Sequence, residues 1–238
     1  MNTLILAAVD GSAVAEPVVA TAHAIAALVP ASVQTLHISE GDTLTQITTR
    51  CSDPDVFALV IGARAKPTMG VGHLVGPLVK GARKMVVVVP PAAGLSREWR
   101  TVLIAMKGTP HTARHLEAAI DWAANANVQL VVVHVDDVES IPSFSDQAAH
   151  ATNAYVKEFQ ARFLQGVSNA RLELRIGRPV DGILDVAKAV AADIVVIGWP
   201  DTAGTEFPAI ATEILDRVDV PVLFVPEELA ASLPLSSP

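Results

Sequence analysis

An internal repeat constrains the fold of this chain more than any other feature of its sequence. Three glycine or proline positions recur 136 residues further on without a gap, namely Gly41 with Gly177, Gly62 with Gly198 and Pro90 with Pro226. Nearer the start of each copy the offset is 97, for Ala8 with Ala105 and Gly11 with Gly108. The difference between the two offsets means that the first copy lacks 39 residues, roughly Asp136 to Leu174, which the second contains. That segment predicts a long loop, an amphipathic helix around NAYVKEFQARFLQGV and the strand RLELRI.

Apolar runs of strand length alternate with stretches of helical periodicity in both copies, which predicts buried parallel strands joined by helices. The runs are TLILAAV, FALVIG and KMVVVVP in the first copy, and TVLIAM, VQLVVVHV, RLELRI, DIVVIG and VPVLFVP in the second. We expect an α/β fold of two tandem, doubly wound, open parallel-sheet units, the first truncated to about four strands and the second with about five. The predicted domains are residues 1–90 and 97–226, with a linker at 90–98 and a flexible tail at 227–238.

The charge distribution argues against nucleic acid as a partner. The formal net charge is −8, and residues 1–90 hold six basic and six acidic side chains, so the excess acid lies in the second half. Few aromatic residues and no extensive basic face accompany it. No apolar run is long enough to span a membrane, no signal-peptide pattern is present, and the single Cys51 fits a reducing compartment. We therefore expect a cytoplasmic protein without a membrane partner.

Four motifs occur in order along the chain: ILAAVDGS at 5–12, LHIS at 36–39 with its counterpart VVHVD at 132–136, IGRPVDGILDVAKAVAADIVVIG at 176–198, and VDVPVLFVP at 218–226. Together they resemble the universal stress protein family, in particular its tandem two-domain members, from residue 3 to about 226. The resemblance implies adenine nucleotide alpha hydrolase-like units, with strand order 3-2-1-4-5 in the full copy. It also implies that the closing strands MVVVVP and VPVLFVP pair, which makes one chain an intramolecular pseudo-dimer. A homodimer of the whole chain is a further possibility.

Nucleotide-binding members of that family carry Gly, two residues, Gly, nine residues, Gly and then Ser or Thr after the fourth strand. In the first copy Gly62 matches the first glycine, Ala65 replaces the second, and Gly72 and His73 take the last two positions. Six residues then stand where the family has nine, which shortens the reach of the loop around a triphosphate by up to about 10 Å. The resemblance implies a cofactor site for ATP in this copy, lined by Asp10, Ile38, Gly62, Arg64, Gly72 and His73.

The second copy departs further from the pattern. Lys107 replaces the aspartate, Asp201 the second glycine, and Pro208 and Ala209 the last glycine and the hydroxyl residue. Asp201 repels phosphate, and Pro208 has no amide hydrogen to donate. We expect no nucleotide in this copy.

Ordinary structural roles account for several of the same residues. Glycines between 62 and 73 allow a tight turn and close packing of a helix, and Asp10 is a candidate N-terminal cap for the first helix. His37 and His134 end equivalent strands, which duplication explains without chemistry.

Three functions are consistent with these features. The first is a non-catalytic stress-response protein that acts through dimerisation or partner contacts and has no resident cofactor. The second is an adenine nucleotide binding protein that uses the first copy alone, and the third is a small-molecule enzyme with its site in the sheet cleft. We expect no catalytic residue, because Ser12 and Ser39 lie in no nucleophile elbow, and no metal site, because His111 and His115 have no third ligand.

Overall fold

The structure, a computed structural model, describes most of both halves of the chain. The described residues are 3–38, 42–63, 75–82, 84–95, 98–106, 120, 126, 128–136, 157–158, 161, 170–199 and 209–226. The strands are β1 (Thr3–Val9), β2 (Ala31–His37), β3 (Val56–Gly62), β4 (Met85–Val89), β5 (Thr101–Ala105), β6 (Gln129–Asp136), β7 (Ala170–Ile176), β8 (Ile194–Trp199) and β9 (Val222–Pro226). The helices are α1 (Ala15–Leu28), α2 (Thr43–Cys51), α3 (Val75–Ala82), α4 (Pro179–Ala189) and α5 (Ala209–Arg217).

All nine of these strands form a single sheet in the order β2-β1-β3-β4-β9-β8-β5-β6-β7. Neighbouring strands are parallel, except that β4 and β9 run antiparallel. The second half shows the expected order 3-2-1-4-5 when its own five strands are numbered from β5. The first half has four strands and nothing equivalent to β7 among the described residues. The predicted fold class is confirmed.

The strand registers reproduce the offsets of the sequence repeat. Ala8 of β1 pairs with Ile61 of β3, and Ala105 of β5 pairs with Ile197 of β8. Ala8 and Ala105 are 97 residues apart, whereas Ile61 and Ile197 are 136 apart. Since a shift of one residue would reverse the faces of a strand, equal registers mean that the two halves present equivalent side chains to equivalent faces.

The two halves join along β4 and β9, whose residues are all buried. Val87 pairs with Leu223, its own equivalent at the offset of 136. On one side Val86 pairs with Phe224, the equivalent of Val88. On the other side Val88 pairs with Val222, the equivalent of Val86. This is the pattern of a local two-fold axis that passes through the Val87–Leu223 pair, as in an isologous interface.

Helices cover both faces of the sheet, so the chain is doubly wound. On one face α2, α3, α4 and α5 contribute Ile47, Leu78, Ile183 and Ile214 to a core layer that includes Phe224 of β9. On the other face α1 packs with Val18 and Ile25 against alternate residues of the same strands. Both layers contain residues from both halves, so the core is continuous across the β4–β9 pairing.

Trp99, at the end of the linker between the halves, is a core residue that the sequence analysis did not identify. Trp99 is 5% exposed and packs with Ala93 in the core layer beneath α1. The predicted helix around residues 153–167 and the tail at 227–238 lie mostly or wholly outside the described residues. The domain limits at 90 and 97 remain predictions. No helix in the described part of the chain has the length and apolar character needed to cross a membrane.

Candidate functional site

The first-half crevice lies at the carboxyl ends of β1, β2 and β3, which are neighbours in the sheet. After β1 the chain enters α1 on one face, and after β3 it continues to α3 on the opposite face. Such a reversal leaves a crevice at the strand ends, which is where open α/β sheets bind ligands. Three of the predicted site residues, Asp10, Ile38 and Gly62, are carried on these three strand ends. The structure therefore brings that half of the predicted set together.

Asp10 makes a local turn. Its Oδ1 accepts a hydrogen bond of 3.0 Å from the amide of Ser12, and Gly11 between them has a φ of +73° that favours glycine. The helix itself begins later, because α1 starts at Ala15 and its N-cap is Val14, which makes no side-chain capping bond. The capping role predicted for Asp10 is therefore wrong in detail, since the carboxylate holds the turn that precedes the helix.

Gly62 permits a close approach of the segment that enters α1. A Cβ atom at this position would lie 3.1 Å from Cγ1 of Val14 and 3.5 Å from Cγ2 of Val18. The contact with Val14 is tighter than ordinary van der Waals contact, and Val14 is a β-branched side chain with little rotamer freedom. The packing interpretation of Gly62 therefore has a specific geometric cause that requires no ligand.

The backbone beyond β3 remains tied to the sheet for one more residue. The amide of Ala63 donates to the carbonyl of Val89 at 2.8 Å, and Ala63 is fully buried. Ile38 similarly donates its amide to Val9 at 2.7 Å, while its side chain packs against the core. The amide of Ala63 is thus already used, and an anion would have to meet amides further along the loop. Arg64, Gly72 and His73 lie outside the described residues.

The second half carries a different polar group at its strand ends. His134 is 5% exposed, its Nδ1 lies 2.9 Å from the carbonyl oxygen of Met106, and its Nε2 lies 3.0 Å from Oδ1 of Asp136. Both partners are acceptors, so the two bonds form together when each ring nitrogen carries a proton. His37, the equivalent residue of the first half, is exposed. Duplication alone therefore does not account for the burial and hydrogen bonds of His134.

The spacing of His134 and Asp136 in the sequence is a signal for this pair. Asp136 follows His134 by two residues on one strand, so both side chains point to the same face of the sheet. The first copy has Ser39 in place of Asp136. Lys107, Asp201 and Pro208, the departures predicted to abolish nucleotide binding, lie outside the described residues. The described residues contain no group of three potential metal ligands.

The chain contains two equivalent doubly wound units in one sheet, and open α/β units of this kind bind ligands at the carboxyl ends of their strands. The family model for the universal stress protein family matches residues 98–226, more than half of the chain. The chain belongs to the universal stress protein family, as its motifs predicted. A search of curated proteins finds no match to the sequence.

Solved structures show the same two-unit fold along nearly the whole chain. A universal stress protein from Archaeoglobus fulgidus is 13% identical, with a TM-score of 0.69, and the match covers 94% of this chain and 98% of that one. A Pseudomonas aeruginosa protein described as a universal stress protein is 15% identical, with a TM-score of 0.67 and coverage of 97% and 98%. A universal stress protein in complex with cAMP matches 54% of this chain and 98% of its own, at 22% identity and a TM-score of 0.42. At these identities the likeness concerns the fold alone.

Proposed function

We propose that this universal stress protein acts without catalysis in the stress response, through the surface contacts of a single chain built as a pseudo-dimer. The observation that carries the proposal is the antiparallel pairing of β4 with β9 about the Val87–Leu223 pair. Two equivalent halves bury their closing strands there as two subunits would in an isologous dimer. The second half then serves as a permanent partner for the first.

The described polar groups support a non-catalytic role. Both ring nitrogens of His134 lie within hydrogen-bond distance of acceptors inside the protein, so neither is directed at a substrate. Burial raises the pKa of the Cys51 thiol to about 11, which keeps it protonated near neutral pH and unsuited to attack as a thiolate.

Adenine nucleotide binding by the first half is the second candidate. The observation in its favour is the position of Asp10 between Ile38 and Gly62, on the middle one of three adjacent strand ends at the crevice. A carboxylate at this place accepts hydrogen bonds from hydroxyl groups of a sugar. Arg64 and His73 would contribute to the phosphates in this proposal, and Gly72 would supply a backbone amide.

Titration of the purified full chain with ATP and magnesium by isothermal calorimetry separates the two proposals. Gly72→Asp places a negative charge in the predicted phosphate loop, and Pro208→Asp places the same charge at the equivalent position of the second half as a matched control. A charge-assisted contact to phosphate is worth about 1.5–3 kcal/mol, so nucleotide binding predicts a loss of roughly tenfold or more for Gly72→Asp and none for Pro208→Asp. Saturable binding with this pattern would overturn the contact proposal. A titration in which the heat signal does not saturate would instead reject the proposal that the first half binds adenine nucleotide.

Asp10→Asn refines the test at the sugar position. The amide oxygen of asparagine can still accept the hydrogen bond from Ser12, so the turn is kept while the charge is lost. If the first half binds nucleotide, Asp10→Asn weakens ATP binding without a change in thermal stability. Equal affinities in the two proteins would show that the charge of Asp10 takes no part in nucleotide binding.

A further inference from the structure

The outer edge of β2 has lost the strand that covers its equivalent in the second half. At the offset of 97, β2 corresponds to β6, and β6 pairs on its outer side with β7 along seven residues, from Leu130 with Ala170 to Asp136 with Ile176. The 39 residues missing from the first copy include most of this covering strand. Among the described residues, β2 pairs with β1 alone.

The backbone groups on this edge can be assigned. The amide of Ile38 donates to Val9 of the β1 segment, so Ile38 faces inward. Since residues alternate along a strand, Leu36 and Gln34 also face β1, whereas Val33, Thr35 and His37 direct their amide and carbonyl groups outward. The ladder between β1 and β2 runs through all seven residues without a shift in register. The outward groups therefore form a regular row of three donors and three acceptors.

The two edges of the sheet differ in charge. β7, at the far edge, carries Arg171, Glu173 and Arg175 on one face, and Glu173 forms ion pairs with both arginines. Charged side chains on an edge strand prevent another strand from adding to it. β2 contains no lysine, arginine, aspartate or glutamate. It therefore lacks the protection that the opposite edge has.

The charged side chain that reaches β2 from α2 is already neutralised. Arg50 donates from Nη2 to the side-chain oxygen of Gln34 at 2.6 Å. It also forms ion pairs with Asp53 and with Asp55, the latter at 3.5 Å. Arg50 therefore does not present an unpaired positive charge to a second copy of this edge.

We propose that β2 pairs antiparallel with β2 of a second copy of the chain, about a two-fold axis at Thr35. In this register Thr35 meets Thr35 of the second copy, and Val33 meets His37 on either side. All the pairs involve outward-facing residues, so every donor and acceptor in the row is satisfied. This contact between two chains would have the same isologous, antiparallel form as the pairing of β4 with β9 within one chain. The inference names a partner for the contact function proposed above and rests on that proposal.

Proline at Thr35 tests the inference directly. Because the amide of Thr35 points outward, Thr35→Pro removes a donor of the intermolecular row and none from the ladder with β1, as proline on an edge strand does. Thr35→Val keeps the amide and the branched side chain and is the matched control. Native mass spectrometry and light scattering of the full chain, up to about 0.1 mM, measure the dimer fraction.

We expect a dimer for the original chain and for Thr35→Val, and a dissociation constant roughly tenfold to a hundredfold higher for Thr35→Pro. Thr35→Lys provides a second variant in case proline disturbs folding. It places two ammonium groups opposite each other on the axis, so its dimer is weak in dilute buffer and recovers partly as salt is added. A chain that stays monomeric, or a dimer that none of these substitutions weakens, overturns the inference.

The ATP titration keeps this result separate from the fate of the proposed function. A monomeric chain that binds no nucleotide rejects the β2 contact and leaves the internal pseudo-dimer in place. A β2-dependent dimer with saturable ATP binding in its first half rejects the contact-only function and leaves the edge pairing intact.

Discussion

Gly182 on α4 is the position where a single added methyl group tests the packing of helix on sheet. A Cβ atom there would lie 2.8 Å from Cγ2 and 3.1 Å from Cγ1 of Val135 on β6, and 3.3 Å from Cβ of Arg175 on β7. Rotation of Val135 about χ1 offers only partial relief, because one methyl group still faces the glycine in either of the other two rotamers. Gly182→Ala therefore forces the helix away from the sheet or distorts its neighbours.

The magnitude follows from two opposing effects. Alanine in a helix interior is favoured over glycine by about 1 kcal/mol, whereas an extra methyl group in a well-packed interface costs about 1–3 kcal/mol. We expect Gly182→Ala to lower the free energy of unfolding by about 1 kcal/mol in balance. Val135→Ala alone removes two methyl groups from a half-buried side chain and also costs about 1 kcal/mol.

A double-mutant cycle measured by urea denaturation distinguishes packing from propensity. Val135→Ala should lower stability in the original protein but raise it in the Gly182→Ala protein, because there it removes the clash. The expected coupling energy between the two changes is about 1–3 kcal/mol. A stabilising Gly182→Ala, or effects that simply add, would refute the close approach of α4 to β6.

Two further predictions concern the packing of the core and the titration of the Cys51 thiol. Phe224 and Val88 are equivalent at the offset of 136, and both are fully buried. In urea unfolding Phe224→Ala should lower the free energy of unfolding by about 3–5 kcal/mol and Val88→Ala by about 2 kcal/mol. Equal losses for the two variants would contradict the packing described. Burial raises the pKa of Cys51 from 9.0 to about 11, against the opposing attraction of Lys84 and Arg50. Because the pKa is raised in the folded state, its contribution to stability is complete below pH 9.0 and is lost as the pH rises through about 11. The urea midpoint should therefore fall more steeply over this range in the original protein than in Cys51→Ala, and parallel curves would show that the thiol is not buried in solution.

The sequence by itself determined the elements and their repetition. Apolar runs of strand length, separated by helical periodicity, predicted eight of the nine strands, all except β2, because such patterns reflect local burial and need no knowledge of the partner. The two offsets of the repeat predicted a shortened first half, and the registers of Ala8 with Ile61 and Ala105 with Ile197 show the same offsets. Family membership followed from motifs that lie on these same elements.

Tertiary structure decided what the side chains at the strand ends do. Asp10 holds a turn and does not cap α1, since the helix begins at Ala15. His134 is buried between Met106 and Asp136, whereas its repeat equivalent is exposed. The contact between His134 and the Met106 carbonyl joins neighbouring strands, and its length depends on twist and register that a local pattern does not contain. Periodicity is a property of one segment, whereas the burial of a side chain depends on the segments that pack against it.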